Sequence, residues 1–216
     1  MSKLIKRAIS KAEISVLPVV TFEGRIVTIQ TVTDAEKAID YLLTQKMVGV
    51  DTETRPSFVS GKSYKVSLLQ VSTDEVCFLF RLNYIGFPQC IQRFIEDEKV
   101  MKIGLSLKDD FGALHKRSNF EPGEFIELQE YVRQFGIDDM SLQKIYAILF
   151  GQRISKNQRL SNWEAEVLND RQKIYAATDA WACLMIYRYM ENLRQTGDYQ
   201  IEEKKIETIV KEEHGV

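Results

Sequence analysis

The sequence predicts a mixed α/β fold in which helices flank one sheet. Three strand-like segments come first, and a turn at residues 72–74 joins the second and third as an antiparallel hairpin. Strand and helix patterns then alternate twice, and helical patterns follow. This order is typical of a layered α/β domain whose sheet contains both parallel and antiparallel strand pairs.

Five segments have the length and apolar or β-branched composition of strands. They are residues 47–51 (MVGVD), 64–71 (YKVSLLQV), 75–80 (EVCFLF), 100–104 (VMKIG) and 124–129 (EFIELQ). The sequence therefore predicts a sheet of five strands.

Helix start and stop signals divide the remaining segments. Thr33 and Glu36 have the spacing of a capping box, so a helix is predicted to begin at Thr33. Ser161 and Glu164 have the same spacing and predict a short helix there. The other helices are predicted to begin at Pro88, to cover residues 107–117, to run from Ser141 to Gly151, and to run from about Asp170 to Leu193.

Length and composition favour one domain. A chain of 216 residues can fill one core well, and no repeat or Pro/Gly/Ser linker divides this one. We expect a leader at residues 1–23, a single domain at residues 24–195, and a charged tail or helix at residues 196–216.

The cysteines and the apolar segments bear on location. Cys77, Cys90 and Cys183 are odd in number and lack the spacing of a disulfide framework or zinc site, which predicts a reducing, cytoplasmic compartment. No apolar segment is long enough to cross a membrane, so no membrane partner is expected.

The charge is nearly balanced overall but uneven locally. A net charge of −2 argues against a protein that coats nucleic acid without specificity. Residues 151–162 nevertheless hold Arg153, Lys156 and Arg159 with no acid. This run is either a solvated loop or one wall of a basic groove.

Two acids end the first predicted strand. Asp51 and Glu53 are two residues apart and project from the same face, while Thr52 projects from the other. Carboxylates this close repel each other unless a cation compensates, and a divalent metal prefers oxygen ligands. A solvated pair of acids at a strand end is the alternative.

Two further acidic positions follow. Asp109 and Asp110 come just after a predicted strand, where open α/β sheets place ligands, although a surface run explains them equally well. Tyr175 and Asp179 are four residues apart on one face of the longest helix, within a nearly apolar segment. Burying Asp179 there would be costly without a partner, and a solvent-facing Asp179 is the alternative.

Together these stretches resemble the motifs of the DEDD superfamily of 3′–5′ exonucleases, in the ribonuclease D branch that includes the Werner syndrome exonuclease domain. The first motif is Asp51-Thr52-Glu53, the second is Asp110 with Leu114, and the third is Tyr175 through Asp179. Residue 174 is Ile where the sister subgroup has His, so the resemblance is to the tyrosine subgroup. It spans roughly residues 24–193 and departs from the pattern at Glu127, where relatives often carry Asp.

The resemblance implies a ribonuclease H-like fold, with a five-stranded mixed sheet and helices on both faces. It also implies two divalent cations, Mg²⁺ or Mn²⁺, bound by Asp51, Glu53, Asp110 and Asp179. Asp51 would bridge both ions, Glu53 and Asp179 would hold the ion next to the attacking water, and Asp110 would support the second ion. Tyr175 would orient that water.

The implied partner is a nucleic acid with a free 3′ end, hydrolysed to nucleoside 5′-monophosphates. DNA is favoured over RNA, because the chain lacks room for the additional helical domains of ribonuclease D. A catalytically weak binding module of the same fold and a phosphoesterase for small nucleotides are the alternatives. Candidate substrate contacts are Arg153, Lys156 and Arg159, then Arg55 and Lys108, and Phe58 as a base-stacking or core residue.

Overall fold

The fold is built around a six-stranded mixed sheet. The computed structural model describes residues 2–203. The strands of the central sheet, in chain order, are β3 (Arg25–Ile29), β4 (Met47–Thr54), β5 (Val66–Ser72), β6 (Val76–Arg81), β7 (Met101–Gly104) and β8 (Phe125–Glu127). Short pairs outside it are formed by β1 (Lys3–Ile5), β2 (Val19–Val20), β9 (Arg153–Ile154) and β10 (Tyr199–Ile201).

The spatial order of the central strands is β3-β6-β5-β4-β7-β8. The pairs β4–β5 and β5–β6 are antiparallel, whereas β3–β6, β4–β7 and β7–β8 are parallel. All five strands predicted from the sequence are present, and the mixed α/β class is confirmed. The sixth strand, β3, was not predicted and extends the sheet at the edge beside β6.

Helices cover both faces of the sheet. In the described residues they are α1 (Lys11–Ser15), α2 (Val32–Leu42), α3 (Leu82–Ile85), α4 (Gln89–Glu96), α5 (Leu107–Leu114), α6 (Leu128–Arg133), α7 (Leu142–Phe150) and α8 (Asp170–Thr196). The apolar sides of α2 and α4 pack on one face, against Val48 and Val50 of β4. Helix α8 packs on the other face, with 27 residues the longest helix described.

Strand β4 and helix α8 touch through their backbones. A Cβ atom placed on Gly49 would lie 1.9 Å from the carbonyl oxygen of Ala180. Only a residue without a side chain permits this approach, which brings Asp179 of α8 next to the carboxyl end of β4.

The first residues wrap around the body of the protein. Strand β1 pairs in parallel with β10, and β2 pairs in parallel with β9. Ile5, Ile9 and Ile14 are buried in the core beside α7 and α8. The division into residues 1–23, 24–195 and 196–216 stays a prediction. Within the expected C-terminal segment, residues 204–216 lie outside the described part of the chain.

Two predicted helix starts are wrong. Thr31, not Thr33, caps α2, and its side chain accepts a hydrogen bond from the backbone N–H of Asp34. Residues 161–167 contain turns and bends rather than a helix. They surround Trp163, which is fully buried against the core, so tertiary packing overrides the local capping pattern.

The three cysteine thiols are all free and buried. Burial raises the pKa of each thiol, to about 12 for Cys77. In the described residues, no helix has the length and apolar character needed to cross a membrane.

The Gly49 contact predicts a large stability difference between two glycine substitutions. Gly49→Ala should lower the free energy of unfolding by about 3 kcal/mol or more, because the methyl group would overlap backbone that cannot move independently of α8. Gly112→Ala is the matched control, since Gly112 lies in α5 with open space at its Cβ position. It should raise stability by about 0.5–1 kcal/mol.

Urea denaturation of both variants and of the parent chain checks this prediction. Equal stability of the Gly49→Ala variant and the parent chain would show that α8 is free to shift away from β4.

Candidate active site

Three carboxylates meet at the carboxyl end of β4. Asp51 and Glu53 come from β4 and Asp179 comes from α8, and one carboxylate oxygen from each lies within 4.8 Å of the others. The period of two in β4 directs Asp51 and Glu53, like Gly49, toward α8. The backbone contact at Gly49 then sets the distance between Asp179 of α8 and the two acids of β4.

Asp110 reaches the site from α5. Its Oδ1 accepts a 2.5 Å hydrogen bond from the hydroxyl of Thr52, the residue that projects from the opposite face of β4. Asp110 is half-buried, whereas the neighbouring Asp109 is exposed. The charge of Asp110 is close enough to raise the pKa of Asp51. The structure therefore brings Asp110, rather than Asp109, toward the three-acid cluster.

Glu127 fixes the start of the helix that carries Asp110. Its carboxylate accepts hydrogen bonds from the backbone N–H groups of Ser106 (3.0 Å) and Leu107 (2.7 Å). Ser106 has a left-handed backbone, with φ of 64°, and is the one described residue other than glycine with positive φ. Glu127 is thus turned toward backbone donors, so the departure from Asp at this position serves the geometry of α5.

Burial dominates the electrostatics of the four acids, and repulsion from other acids of the site adds to it at Asp51 and Glu53. Burial, followed by the charges of Asp110, Asp179 and Glu53, raises the pKa of Asp51 well above its ordinary value. Burial is also the largest cause for the other three, and the pKa rises to about 9 for Glu53 and to about 7 for Asp110 and Asp179. The site therefore resists holding four negative charges without added cations.

Tyr175 lies beside Asp179, one turn earlier in α8. Burial and the charges of Asp179 and Glu53 raise the pKa of the Tyr175 hydroxyl, so it stays protonated near neutral pH. The ring of Tyr175 packs 6.0 Å from that of Trp163, measured between centroids. A protonated hydroxyl held in this way is a hydrogen-bond donor aimed from a fixed position.

Two of the basic side chains predicted to contact substrate lie near the acids. Lys156, Arg159, Tyr175 and Asp179 all line one cavity of about 420 Å³, here called the catalytic cavity. The charge of Lys156 lowers the pKa of Asp179 and that of Arg159 lowers the pKa of Glu53, although burial outweighs both effects. Arg153 does not line this cavity, and its Nε donates to the carbonyl oxygen of Leu17.

The remaining candidate contacts are spread around the site. Arg55 donates to Glu164 at 3.3 Å and lies over the ring of Tyr64. Phe58 is 83% exposed, which rules out the alternative that it packs in the core. Lys108 is exposed next to Asp109 in the first turn of α5.

Gln70 is a site neighbour that sequence reasoning missed. It is paired with Asp51 across β4 and β5, so the two side chains share one face of the sheet. The amide is fully buried, and neither of its polar atoms has a hydrogen-bond partner among the described residues. A glutamine within the buried segment VSLLQVS was the available signal.

The four acids fit divalent cations. Their donors are all carboxylate oxygens, which hard divalent ions prefer. Among the described residues, no Lys or Arg nitrogen lies within 4.0 Å of a carboxylate oxygen of Asp51, Glu53, Asp110 or Asp179. Added positive charge would therefore stabilise the ionised carboxylates, which burial disfavours at all four acids and repulsion disfavours further at Asp51 and Glu53.

Comparisons with known proteins agree with this geometry. A mouse protein named "Bifunctional 3'-5' exonuclease/ATP-dependent helicase WRN" is 30% identical over 84% of this chain, which spans 14% of the mouse protein. The Nibbler EXO domain of Aedes aegypti has a TM-score of 0.75 at 18% identity, covering 84% of this chain and 95% of that domain. Ribonuclease D of Trypanosoma brucei in complex with RNA U12 has a TM-score of 0.68 at 18% identity, covering 78% of this chain and 63% of that one.

The two structural matches show a shared fold. The family model described as 3'-5' exonuclease matches residues 26–195, a range that contains all four acids and Tyr175. With this match and the similarity to the mouse protein, the chain belongs to the 3′–5′ exonuclease family of the DEDD superfamily.

Proposed function

We propose that this chain hydrolyses phosphodiester bonds from the 3′ end of a nucleic acid and releases nucleoside 5′-monophosphates. Family membership makes it a hydrolase that acts on nucleic acid. The observation that carries the finer proposal is the convergence of four acids, from β4, α5 and α8, beside a protonated tyrosine.

The four carboxylates would hold two divalent cations, Mg²⁺ or Mn²⁺. Such a pair supplies Lewis-acid stabilisation of charge on the attacking and leaving oxygens of phosphodiester hydrolysis. Asp51 would contribute to both ions, Glu53 and Asp179 to the ion beside the attacking water, and Asp110 to the other. Gln70 lies on the same face of the sheet as Asp51, and its unpartnered amide would be a further hydrogen-bonding group near that carboxylate.

The residues around the acids would position water and phosphate. Tyr175 would donate a hydrogen bond that orients the attacking water, since its hydroxyl keeps its proton. Lys156 and Arg159, which line the catalytic cavity, would contact phosphate oxygens. Arg55, Lys108 and the exposed ring of Phe58 are further candidates for holding the terminal nucleotides.

Within this proposal, DNA is the favoured substrate. RNA is the second candidate, because the similar ribonuclease D structure contains RNA. A reducing, cytoplasmic compartment stays a prediction, supported by three free cysteines.

A degradation assay tests the proposal. Single-stranded DNA, duplex DNA with a recessed 3′ end, and RNA, each labelled at the 5′ end, should shorten stepwise with Mg²⁺ or Mn²⁺. Asp51→Ala and Asp110→Ala should each lower the rate by roughly a thousandfold or more. Asp109→Ala, a neighbouring exposed acid, is the matched control and should stay within about threefold of the parent chain.

Intact oligonucleotides under all these conditions would contradict the proposal. Loss of activity in Asp109→Ala with retention in Asp110→Ala would show that the acid in the second motif is misassigned.

The metal-free protein should lose stability as pH rises. The pKa values of Glu53, Asp110 and Asp179 rise in the folded chain from 3.8–4.5 to about 9, 7 and 7. The folded state therefore binds more protons than the unfolded state. The stability that these three acids contribute is fully present below pH 4 and is lost as the pH approaches 9. Asp179→Asn should make the fall shallower, because it removes one of the repelling charges.

Chemical denaturation at several pH values, with chelator and with Mg²⁺, measures this effect. Mg²⁺ should flatten the fall by binding the ionised acids. A fall of equal steepness with and without Mg²⁺ would place its origin outside the cluster.

Tyr175→Phe should slow hydrolysis roughly tenfold to a hundredfold while leaving divalent-cation affinity unchanged, because it removes a donor to water but no ligand. Single-turnover hydrolysis and calorimetric titration with Mn²⁺ separate the two quantities. An equal loss of Mn²⁺ affinity would contradict the orienting role and indicate a contribution to the metal site.

A further inference from the structure

A second cavity adjoins the catalytic cavity and is rich in positive charge. It has a volume of about 610 Å³ and is here called the basic groove. Its lining contains five cationic side chains and no acid. They are Lys11 of α1, Lys144 of α7, and Arg153, Lys156 and Arg159 of the segment that begins with β9.

The basic groove is continuous with the catalytic cavity. Gln143, Lys156 and Arg159 line both cavities. Since Asp179 and Tyr175 line the catalytic cavity, the shared residues Lys156 and Arg159 connect the candidate active site to the basic groove. A nucleic acid whose 3′ end lies at the acids must place its preceding phosphates outside the catalytic cavity.

Much of the charge in the groove is available to a ligand. In the described part of the chain, no carboxylate oxygen lies within 4.0 Å of a side-chain nitrogen of Lys11, Lys156 or Arg159. Lys144 forms an ion pair, with its Nζ 2.5 Å from Oδ1 of Asp139. The Nε of Arg153 donates a hydrogen bond to the backbone carbonyl oxygen of Leu17.

The cations of the groove also repel one another. The pKa of Lys156 is lowered first by burial and then by Arg159, with Lys144 and Lys11 contributing, while Asp179 opposes the shift. Because the chain carries a net charge of −2, this concentration of positive charge is a local feature that favours a polyanion.

The other large cavity has the opposite character. It has a volume of about 660 Å³, lies between α2 and α4, and is lined by Glu36, Asp40 and Glu96 among others. Only Arg93 offers a positive charge there, and it is paired with Asp40. A polyanion would therefore be repelled from that side of the molecule.

We propose that the basic groove binds the phosphodiester backbone of single-stranded nucleic acid on the 5′ side of the nucleotides in the catalytic cavity. Lys11, from the first helix of the chain, then contacts substrate together with Lys144 of α7. This inference rests on the proposed function for the direction of the strand, and backbone contacts apply equally to DNA and RNA.

Binding without metal tests the groove separately from catalysis. A fluorescent 12-nucleotide single strand, as DNA and as RNA, is titrated with the full chain in the presence of a chelator. Lys11→Ala should weaken binding three- to tenfold and reduce the slope of log affinity against log salt by about 0.7. Lys11→Arg should bind as the parent chain does.

Lys6→Ala is the matched control. Lys6 belongs to the same N-terminal segment but pairs with Glu13 at 2.9 Å and does not line the groove, so both affinity and salt slope should stay unchanged. Far-UV circular dichroism and urea denaturation of Lys11→Ala should match the parent chain, which shows independently of hydrolysis that this variant is folded.

The outcomes separate the two proposals. If Lys11→Ala binds the 12-nucleotide strand with unchanged affinity and unchanged salt slope, the proposed role of the groove is overturned, whatever the hydrolysis assay shows. An equal loss of affinity in Lys6→Ala also overturns this role, because the effect would then come from the overall charge of the chain and not from the groove. Selective loss in Lys11→Ala supports the groove even if no substrate is hydrolysed, a result that would count against the exonuclease alone.

Discussion

Repulsion among carboxylates at the end of β4 is the constraint to which the surrounding structure responds. Two unit charges about 4 Å apart repel by about 4 kcal/mol at the effective dielectric constant typical of protein surfaces. Asp51, Glu53 and Asp179 approach this spacing. Proton uptake or bound cations relieve this repulsion, and the backbone holds the acids in place, since β4 lies between β5 and β7 near the middle of the sheet. The close approach of α8 at Gly49 fixes the third acid in the same frame.

The site is also divided by sign. Asp179 of α8 lines the catalytic cavity, and Lys156 and Arg159, from the segment that begins with β9, line the same cavity. Metal ions and phosphate groups need opposite charges, and one cavity presents both without ion pairs between them in the described residues. A net charge of −2 for the chain conceals this arrangement, because the average says nothing about position.

Sequence patterns predicted that Asp51 and Glu53 share one face of a strand and that Tyr175 lies one turn before Asp179, because strand alternation and helical spacing are local properties. They failed where a contact between distant segments decides the outcome. In TVTDAE, Thr31 with Asp34 and Thr33 with Glu36 have the same spacing, and the structure uses Thr31 as the cap, two residues after β3 ends at Ile29. The roles of Gln70, Thr52 and Glu127 depend on partners far along the chain, which spacing does not reveal.

The orientation of Arg153 shows the same limit. Its place in a basic run predicted a phosphate contact at the acids, but strand pairing between β2 and β9 turns its Nε toward Leu17. The sequence left this run open between a solvated loop and a basic groove; in the structure it lines one cavity together with residues of α1 and α7, which no local pattern connects to it.

The burial of every thiol has a consequence for chemical durability. Alkylation and oxidation proceed through the thiolate, and burial both blocks access to Cys77, Cys90 and Cys183 and keeps them protonated. Reagents should therefore reach these sulfur atoms only when the chain opens. The rate of thiol oxidation therefore depends on the folding equilibrium, so the cysteines of variants that unfold more often should be oxidised faster in air.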